Sequence, residues 1–287
     1  MKTSKNVEMT MNRSDDIVER IVPGHVPLVS YLEHIERYLF AAKLTKSSER
    51  IVDIACGTGY GSYLLACSVR GEVTGIDISS VAIDHANEQY AGNFSPRFIR
   101  AGADDIPLTD GYADAVVSFE TIEHVANAED VLSEFNRVLI AGGLMLISSP
   151  IYHDSGGADN PFHQVEYEPG KLMDLLTGAG FDISDVYGHI RFSQGPEAGE
   201  AKIVNRLRKR LRPLMPSSFM ERLTDHRVAW RKGIPFIIAT RYRNEPMRFQ
   251  EWLKDNTTRI RSDLFRIGQN GSFSEFAYIV LVCSKNK

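Results

Sequence analysis

The stretch "RIVDIACGTGYGSYLLA", residues 50–66, decides the fold, because it has the pattern of a buried strand, a glycine-rich turn and the start of a helix. A turn of this kind commonly holds a phosphorylated ligand against the N-terminus of the helix. Gly57 and Gly59 fit the first two positions of the dinucleotide pattern G-x-G-x-x-G, but Ser62 stands at the third position and Gly61 comes one residue early. The glycines alone do not distinguish a dinucleotide from a ligand without phosphate.

One of the acidic residues near this turn, Asp53, favours a ligand that carries positive charge and no phosphate. Asp53 lies four residues before Gly57, where its charge would repel a pyrophosphate and attract an ammonium or sulfonium group. The next predicted strand ends at Asp77, twenty residues after Gly57, which is the usual position of a carboxylate that binds ribose hydroxyls. That spacing serves a dinucleotide equally well. Ile78 follows and offers an apolar wall for an adenine ring.

Short β-branched runs alternate with helical segments up to residue 150, which predicts a parallel, doubly wound α/β sheet. An amphipathic helix precedes the sheet in "VPLVSYLEHIERYLFAAKL". Roughly eighty residues before the last strand do not alternate, and we expect a helical insertion or lid there. The predicted boundaries are a flexible N-terminus at 1–25 and one domain at 26–287, with its core at 48–190 and 274–287 and the insertion at 191–273.

Composition and charge are those of an ordinary soluble enzyme. A net charge of −4 over 287 residues gives no general reason to expect nucleic acid, and the polar N-terminus has no secretory pattern. Three widely spaced cysteines suggest neither a disulfide framework nor a zinc cluster, and no apolar run is long enough to span a membrane. We therefore expect a cytoplasmic protein.

Five motifs taken together resemble the class I S-adenosylmethionine-dependent methyltransferases in their order and spacing. They are "VDIACGTGYG", "VTGIDIS", "GADDIPL", "ADAVVSFETIEHV" and "LIAGGLMLISSP", and they cover residues 50–150. The resemblance implies a Rossmann-like sheet of seven mostly parallel strands, in which the last strand, "FAYIVLVCSK", is antiparallel. It also implies an enzyme with S-adenosylmethionine as its cofactor and S-adenosylhomocysteine as the product.

The resemblance gives roles to residues that the pattern had singled out. It implies that Asp53 lies near the methionine amino group of the cofactor and that Asp77 binds the ribose hydroxyls. It also implies that Gly57 and Gly59 allow the backbone to approach the cofactor closely.

The loop "GADDIPL" departs from the family, whose members often carry an acidic residue where Gly102 stands. Ala103 and Asp104 follow in the same loop, near the same edge of the sheet. Asp104 or a backbone group there can recognise the adenine amino group. We expect adenine recognition to shift to these two residues.

Two flanking segments narrow the expected acceptor. "EHIERYLFAAKL" and "NPFHQVEYEPGKLMDLL" are similar to bacterial methyltransferases associated with cell-surface glycans and glycosylated metabolites. This similarity favours methylation of a hydroxyl or amine on a sugar, a nucleotide-sugar, a glycan or a glycosylated metabolite.

The chemistry at the acceptor requires positioning and removal of a proton, because methyl transfer from a sulfonium is an in-line displacement. Phe119 and Glu120 follow the fourth strand and are expected beneath the methionine end of the cofactor. His124 comes one helical turn after Glu120, and His163 lies on a loop expected to border the acceptor pocket. Each histidine is a candidate general base, because histidine titrates near neutral pH. A purely structural role is the alternative for each.

We expect no metal site. Glu120 and Glu123 together with Asp154 lack the spacing of a metal-binding motif, and a solvated or supporting role is expected for Glu123. Arg37 and Tyr38 lie on the predicted N-terminal helix, which either closes over the cofactor or exposes both side chains at the surface.

The segment 202–212, "KIVNRLRKRLR", is a concentration of positive charge. It lacks interleaved aromatic residues, which argues against nucleic acid as a partner. A solvated helix face is the usual explanation of such a run, and contact with a phosphate-bearing acceptor or a membrane surface stays open. The sequence does not determine an oligomeric state.

Three other functions are weighed against methyl transfer to a small molecule. A nicotinamide-dependent oxidoreductase is disfavoured by Asp53, by Ser62 at the third glycine position and by the lack of a Tyr-x-x-x-Lys pair. A non-catalytic cofactor-binding subunit would not need polar groups such as His124 and His163 on the acceptor side. An RNA methyltransferase, which would need a basic face continuous with the pocket, stays the alternative within the transferases.

Overall fold

The computed structural model describes residues 28–67, 69, 71–90, 96–152, 162–189, 264–267, 273 and 277–286. The predicted flexible N-terminus at 1–25 and the basic segment 202–212 lie outside the described residues. Of the predicted insertion at 191–273, only residues 264–267 and 273 are described. Among the described residues, no helix has the length and apolar character needed to cross a membrane.

Five α-helices, one short 3-10 helix and eight strands form the described part of the chain. The helices are α1 (Leu28–Leu44), α2 (Tyr60–Ala66), α3 (Ser80–Tyr90), the 3-10 helix (Ile122–His124), α4 (Ala128–Val138) and α5 (Pro169–Gly178). The strands are β1 (Arg50–Ile54), β2 (Glu72–Asp77), β3 (Arg97–Arg100), β4 (Ala113–Phe119), β5 (Leu139–Pro150), β6 (Phe181–His189), β7 (Leu264–Ile267) and β8 (Tyr278–Lys285).

The strands make one mixed sheet in the order β3-β2-β1-β4-β5-β8-β6-β7. Strands β1 to β5 pair in parallel, while β8 lies antiparallel between β5 and β6. The predicted doubly wound, mostly parallel sheet with an antiparallel last strand is confirmed. The described part of the sheet has eight strands rather than the predicted seven, because β7 pairs antiparallel with β6 at the edge. This strand falls within the segment predicted as a helical insertion.

Two apolar layers cover the two faces of the sheet. Neighbouring residues of a strand point to opposite faces, so Ile51 joins the layer beneath α1 and α2, while Val52 joins the layer beneath α4 and α5. Strand β1 is buried over residues 51–54, as expected for a central parallel strand covered by helices on both sides. All three cysteines are buried and have free thiols.

Helix α1 packs directly on α2, at a contact that requires a glycine. The ring of Tyr38 lies so close to Gly61 that a Cβ atom at residue 61 would overlap it. The same ring makes edge-to-face contacts with Tyr60 and Phe119, at centroid distances of 5.7 and 5.2 Å. Gly61, which comes one residue early for the dinucleotide pattern, is therefore needed for helix packing.

Replacing Gly61 by alanine is expected to destabilise the fold by about 1–3 kcal/mol, because the added methyl group forces α1 away from α2. Urea unfolding followed by circular dichroism measures the free energy of unfolding. Gly178→Ala in α5 is the matched control, since no described atom lies within 4 Å of its added Cβ. We expect the control to be neutral or stabilising by up to about 1 kcal/mol. Equal stability of Gly61→Ala and the unmodified chain would contradict the close contact.

Candidate active site

The strand order reverses at β1, which has β2 on one side and β4 on the other. Open α/β sheets bind ligands beyond the carboxyl ends of their strands at such a point. Two non-glycine residues at this edge have left-handed backbone, Ala55 after β1 (φ 59°) and Glu120 after β4 (φ 53°). Such conformations cost about 1–2 kcal/mol each and cluster at functional sites. Topology and backbone strain therefore indicate the same place.

The two glycines of the turn have different surroundings. Gly57 has a φ of +55°, and a Cβ built there meets no described atom within 4 Å, so the turn is open at this point. Gly59 has a φ of +81°, and a Cβ there would come 2.6 Å from Cβ of Ala86 and 2.7 Å from the ring of Phe98. Gly57 can therefore accept a ligand closely, whereas Gly59 is required by the packing of the protein itself.

Asp53 lies beneath the turn and is completely buried. Ser62 donates a hydrogen bond of 2.6 Å to one carboxylate oxygen, and the Tyr38 hydroxyl lies 3.1 and 3.3 Å from the two oxygens. The pKa of Asp53 is raised to about 7, chiefly by burial and also by the nearby charge of Asp77, while the hydrogen bonds from Ser62 and Tyr38 act in the opposite direction.

Asp77 ties the end of β2 to the glycine turn. Its Oδ2 accepts a hydrogen bond from the Gly57 amide, and its Oδ1 accepts one from the Ser79 amide, each at 2.9 Å. Ile78 beside it is 66% exposed, which gives this edge an apolar surface. The predicted ribose carboxylate and adenine wall therefore lie next to the open turn.

The loop after β3 carries the other predicted adenine contacts. Ala103 is half-buried and Asp104 is exposed. The Asp104 carboxylate folds back over Gly102 so closely that a Cβ at residue 102 would overlap it. An acidic side chain at that position would displace Asp104, and contact of either residue with adenine stays a prediction.

Glu120 is fixed at the end of β4, directly after the buried Phe119. The Ser148 hydroxyl donates a hydrogen bond of 2.8 Å to its Oε1, and the Glu120 amide donates to the Ser148 carbonyl at 3.1 Å. The guanidinium of Arg37 lies 3.9 Å from the same Oε1. Arg37 and Tyr38 are both buried, so the alternative in which α1 exposes them is wrong.

The structure brings the two predicted catalytic histidines together. The rings of His124 and His163 lie edge to face with 4.9 Å between their centroids. The amides of Gln164 and Val165 donate to the Glu123 carbonyl, at 2.8 and 3.2 Å, which fixes the His163 loop against the 3-10 helix. His124 belongs to this 3-10 helix.

A predicted helical turn between Glu120 and His124 is wrong, because Glu120 precedes the 3-10 helix with a left-handed backbone. Of the two roles expected for Glu123, the solvated one is wrong, since this residue is completely buried, and the supporting one stays a prediction. Its Oε2 accepts a hydrogen bond of 3.3 Å from Ser149. Burial, followed by the charge of Glu120, raises the pKa of Glu123 well above its usual range.

The central part of the chain matches a known protein family. Residues 52–147 match the family model described as "Methyltransferase domain". The match begins in β1 and ends in β5, so it includes the glycine turn, Asp77 and the 3-10 helix. This segment is similar to methyltransferase domains. His163 lies beyond it.

Three proteins are similar to this chain, two of them over about half of its length. A "Probable S-adenosylmethionine-dependent methyltransferase" of Mycolicibacterium smegmatis is 38% identical over 144 residues, which cover 48% of this chain and 54% of that protein. An O-methyltransferase of Aspergillus nomiae is 29% identical, covering 52% of this chain and 71% of that protein. This chain spans about half the length of the first curated relatives it matches.

The third similar protein is a solved structure from Thermotoga maritima, described as an "SAM-dependent methyltransferase, possible histamine N-methyltransferase". Its TM-score is 0.55 at 18% identity, and the alignment covers 96% of this chain and 97% of that chain. At this identity the likeness is one of fold.

The contacts that three residues make at the site were not predicted from the sequence. Ser62 was considered only as a misplaced glycine, and Tyr38 only as part of a closing or exposed helix, yet both hold Asp53. Glu123 directly precedes His124 in the sequence, which was the available signal for a shared site.

The affinity of the domain for S-adenosylmethionine is expected to fall up to about tenfold between pH 8 and pH 6. Asp53, with a pKa of about 7, gains a proton over this range and loses the negative charge that attracts a cationic ligand. Isothermal titration calorimetry at several pH values measures the effect. In Asp53→Asn the affinity is expected to be weaker and to lack this pH dependence. An equal pH dependence in Asp53→Asn would assign the titration to another group.

Proposed function

We propose that the chain is an S-adenosylmethionine-dependent methyltransferase that acts on a hydroxyl or amine of a small molecule. The observation that carries the proposal is the pair of carboxylates at the open Gly57 turn, Asp53 beneath it and Asp77 bonded to the Gly57 amide, within the segment that matches the methyltransferase family model. Bound S-adenosylmethionine supplies an electrophilic methyl group on a sulfonium. The residues of the site would hold the acceptor atom in line with the carbon–sulfur bond that breaks on transfer.

The described residues fit this cofactor. Asp53 is a buried carboxyl group whose pKa is raised by burial, and a cationic ligand nearby would offset the cost of ionising it. Gly57 leaves room for the ligand, and Asp77 offers carboxylate oxygens for the ribose hydroxyls. Ile78 offers an exposed apolar surface for a purine ring. The negative charge of these carboxylates would repel a pyrophosphate at this turn.

The acceptor side of the proposed site is formed by residues that follow β4 and β5. Glu120 is oriented by Ser148, and Glu123 by Ser149, so two consecutive residues of β5 support two carboxyl groups of the site. His124 is 26% exposed and can reach a bound molecule. We propose that His124 and His163 promote loss of the acceptor proton.

A hydroxyl acceptor on a small molecule is the class we favour. The relative from Aspergillus nomiae is named as an O-methyltransferase, which supports oxygen as the acceptor atom. The similarity of the flanking segments, including the His163 loop, supports a sugar, a nucleotide-sugar or a glycosylated metabolite as its carrier. Hydroxyl groups of sugars are weak acids, so their methylation benefits from groups that promote loss of the proton.

A methyl-transfer assay tests the proposal with S-adenosylmethionine carrying a labelled methyl group and a panel of nucleotide-sugars, glycosylated metabolites, glycans and RNA. We expect label in at least one of the glycosylated small molecules. For that acceptor, His124→Ala and His163→Ala are each expected to lower kcat by about a hundredfold, because the proton is no longer removed efficiently.

The matched control for this assay is His85→Ala, which removes a half-buried histidine from α3 and should leave kcat unchanged. The affinity for S-adenosylhomocysteine is also measured in the two test variants. If it is unaltered, the loss of kcat comes from the chemical step and not from weaker binding of the cofactor. Label in RNA alone would contradict the proposed acceptor class, and full turnover in both test variants would contradict the proposed role of the histidines.

A further inference from the structure

We propose that Glu123, His124 and His163 bind a divalent transition-metal ion on the acceptor side of the site. The proposal deepens the function proposed above, because the ion would act on the same acceptor. Each of the three side chains offers one ligand atom, and these atoms all lie within 4.8 Å of one another. Ligand atoms around one zinc-sized ion are about 3.4 Å apart, so small side-chain rotations close the site.

The buried carboxyl group of Glu123 is the strongest sign of a ligand. Its Oε2 accepts a hydrogen bond from Ser149, but its Oε1 is buried and has no hydrogen-bond partner among the described residues. That oxygen lies 3.9 Å from Nε2 of His124, which is too far for a hydrogen bond. Leaving a buried carboxyl oxygen unsatisfied is costly, and a metal ion between the two atoms removes the cost.

The hydrogen bonds of both histidines orient them as metal ligands. Nδ1 of His124 lies 3.0 Å from the Phe162 carbonyl oxygen, and Nδ1 of His163 lies 3.0 Å from a carboxylate oxygen of Glu166. A carbonyl and a carboxylate only accept hydrogen bonds, so Nδ1 carries the proton in both rings. The lone pair of each neutral imidazole is then on Nε2. Metal-binding histidines typically have this arrangement, with the other ring nitrogen donating to an oxygen.

The position of these residues makes the site accessible while holding it in place. His124 and His163 have 26% and 14% of their side-chain surfaces exposed, so an ion can enter from solvent. The buried Glu123 and the two amides that bind its carbonyl fix the floor of the site. A cluster that served only to attach the His163 loop would not need the carboxyl group of Glu123 beneath it.

The expectation of no metal site rested on spacing along the chain. The third ligand, His163, is 39 residues from His124, which is not a spacing that a metal-binding motif would have. Docking of the His163 loop on the 3-10 helix brings the ligands together. Nothing in the local sequence encodes that contact.

The ligand chemistry selects the class of ion. Two imidazole nitrogens and one carboxylate oxygen suit zinc, cobalt, manganese or iron, whereas magnesium and calcium prefer oxygen ligands alone. Three protein ligands leave coordination positions open, as in catalytic rather than structural sites. The ion would lower the pKa of an acceptor hydroxyl held at an open position, and the proton would pass to solvent. The hydroxyl oxygen would then be ready to bond the methyl carbon, with the electron pair of the carbon–sulfur bond left on sulfur.

The test is titration of the metal-free full chain with ZnCl2 and with CoCl2 in the presence of S-adenosylhomocysteine. Calorimetry measures the binding of both ions, and visible absorption detects the bound cobalt. We expect one ion per chain. His124→Ala, His163→Ala and the isosteric Glu123→Gln are each expected to weaken binding at least tenfold. His85→Ala is the control and should bind the ion as the unmodified chain does.

Binding of S-adenosylhomocysteine by each variant verifies that it has folded. The proposal is overturned if the unmodified chain binds S-adenosylhomocysteine but neither ion, or if the three ligand variants bind the ions as tightly as the control. A chain that binds no S-adenosylhomocysteine contradicts the proposed function instead, so the two failures are distinguishable.

Discussion

The buried carboxyl group of Asp53 is the point at which three elements of the fold meet. It lies on β1, and it accepts hydrogen bonds from the hydroxyl groups of Tyr38 on α1 and Ser62 on α2. The approach of the Tyr38 ring requires that Gly61 have no side chain. An acidic group without exposed surface is destabilising unless it is hydrogen-bonded, so α1, β1 and α2 are held in one arrangement. This arrangement fixes the glycine turn above it.

The carboxyl edge of the sheet has two parts, and the functional side chains of each part are held by a different strand. On one side, Asp77 at the end of β2 holds the Gly57 amide, beside the exposed Ile78. On the other side, the two consecutive serines at the end of β5 hold Glu120 and Glu123. The proposed cofactor and acceptor sites are thus built on rigid strands, and methyl transfer demands this precision because it depends on positioning.

The sequence predicted most of the fold, since period-two and helical patterns and the Gly57 turn are local signals. It also predicted Asp77 next to the turn, because the spacing between β1 and β2 is short. It did not predict that Tyr38 lies on Gly61, or that Glu123 is buried below His124, because both facts depend on how distant elements pack. Strand β7 was missed for the same reason, since its pairing with β6 bridges a long separation along the chain.

Calorimetric titration of the full chain with S-adenosylhomocysteine and with NAD tests the central claim most directly. We expect S-adenosylhomocysteine to bind, and binding to weaken about 10- to 100-fold in Asp77→Asn, because the ribose hydroxyls lose a charged partner. Asp84→Asn, an exposed change of the same kind on α3, should have no effect. Tight binding of NAD without binding of S-adenosylhomocysteine would contradict the account.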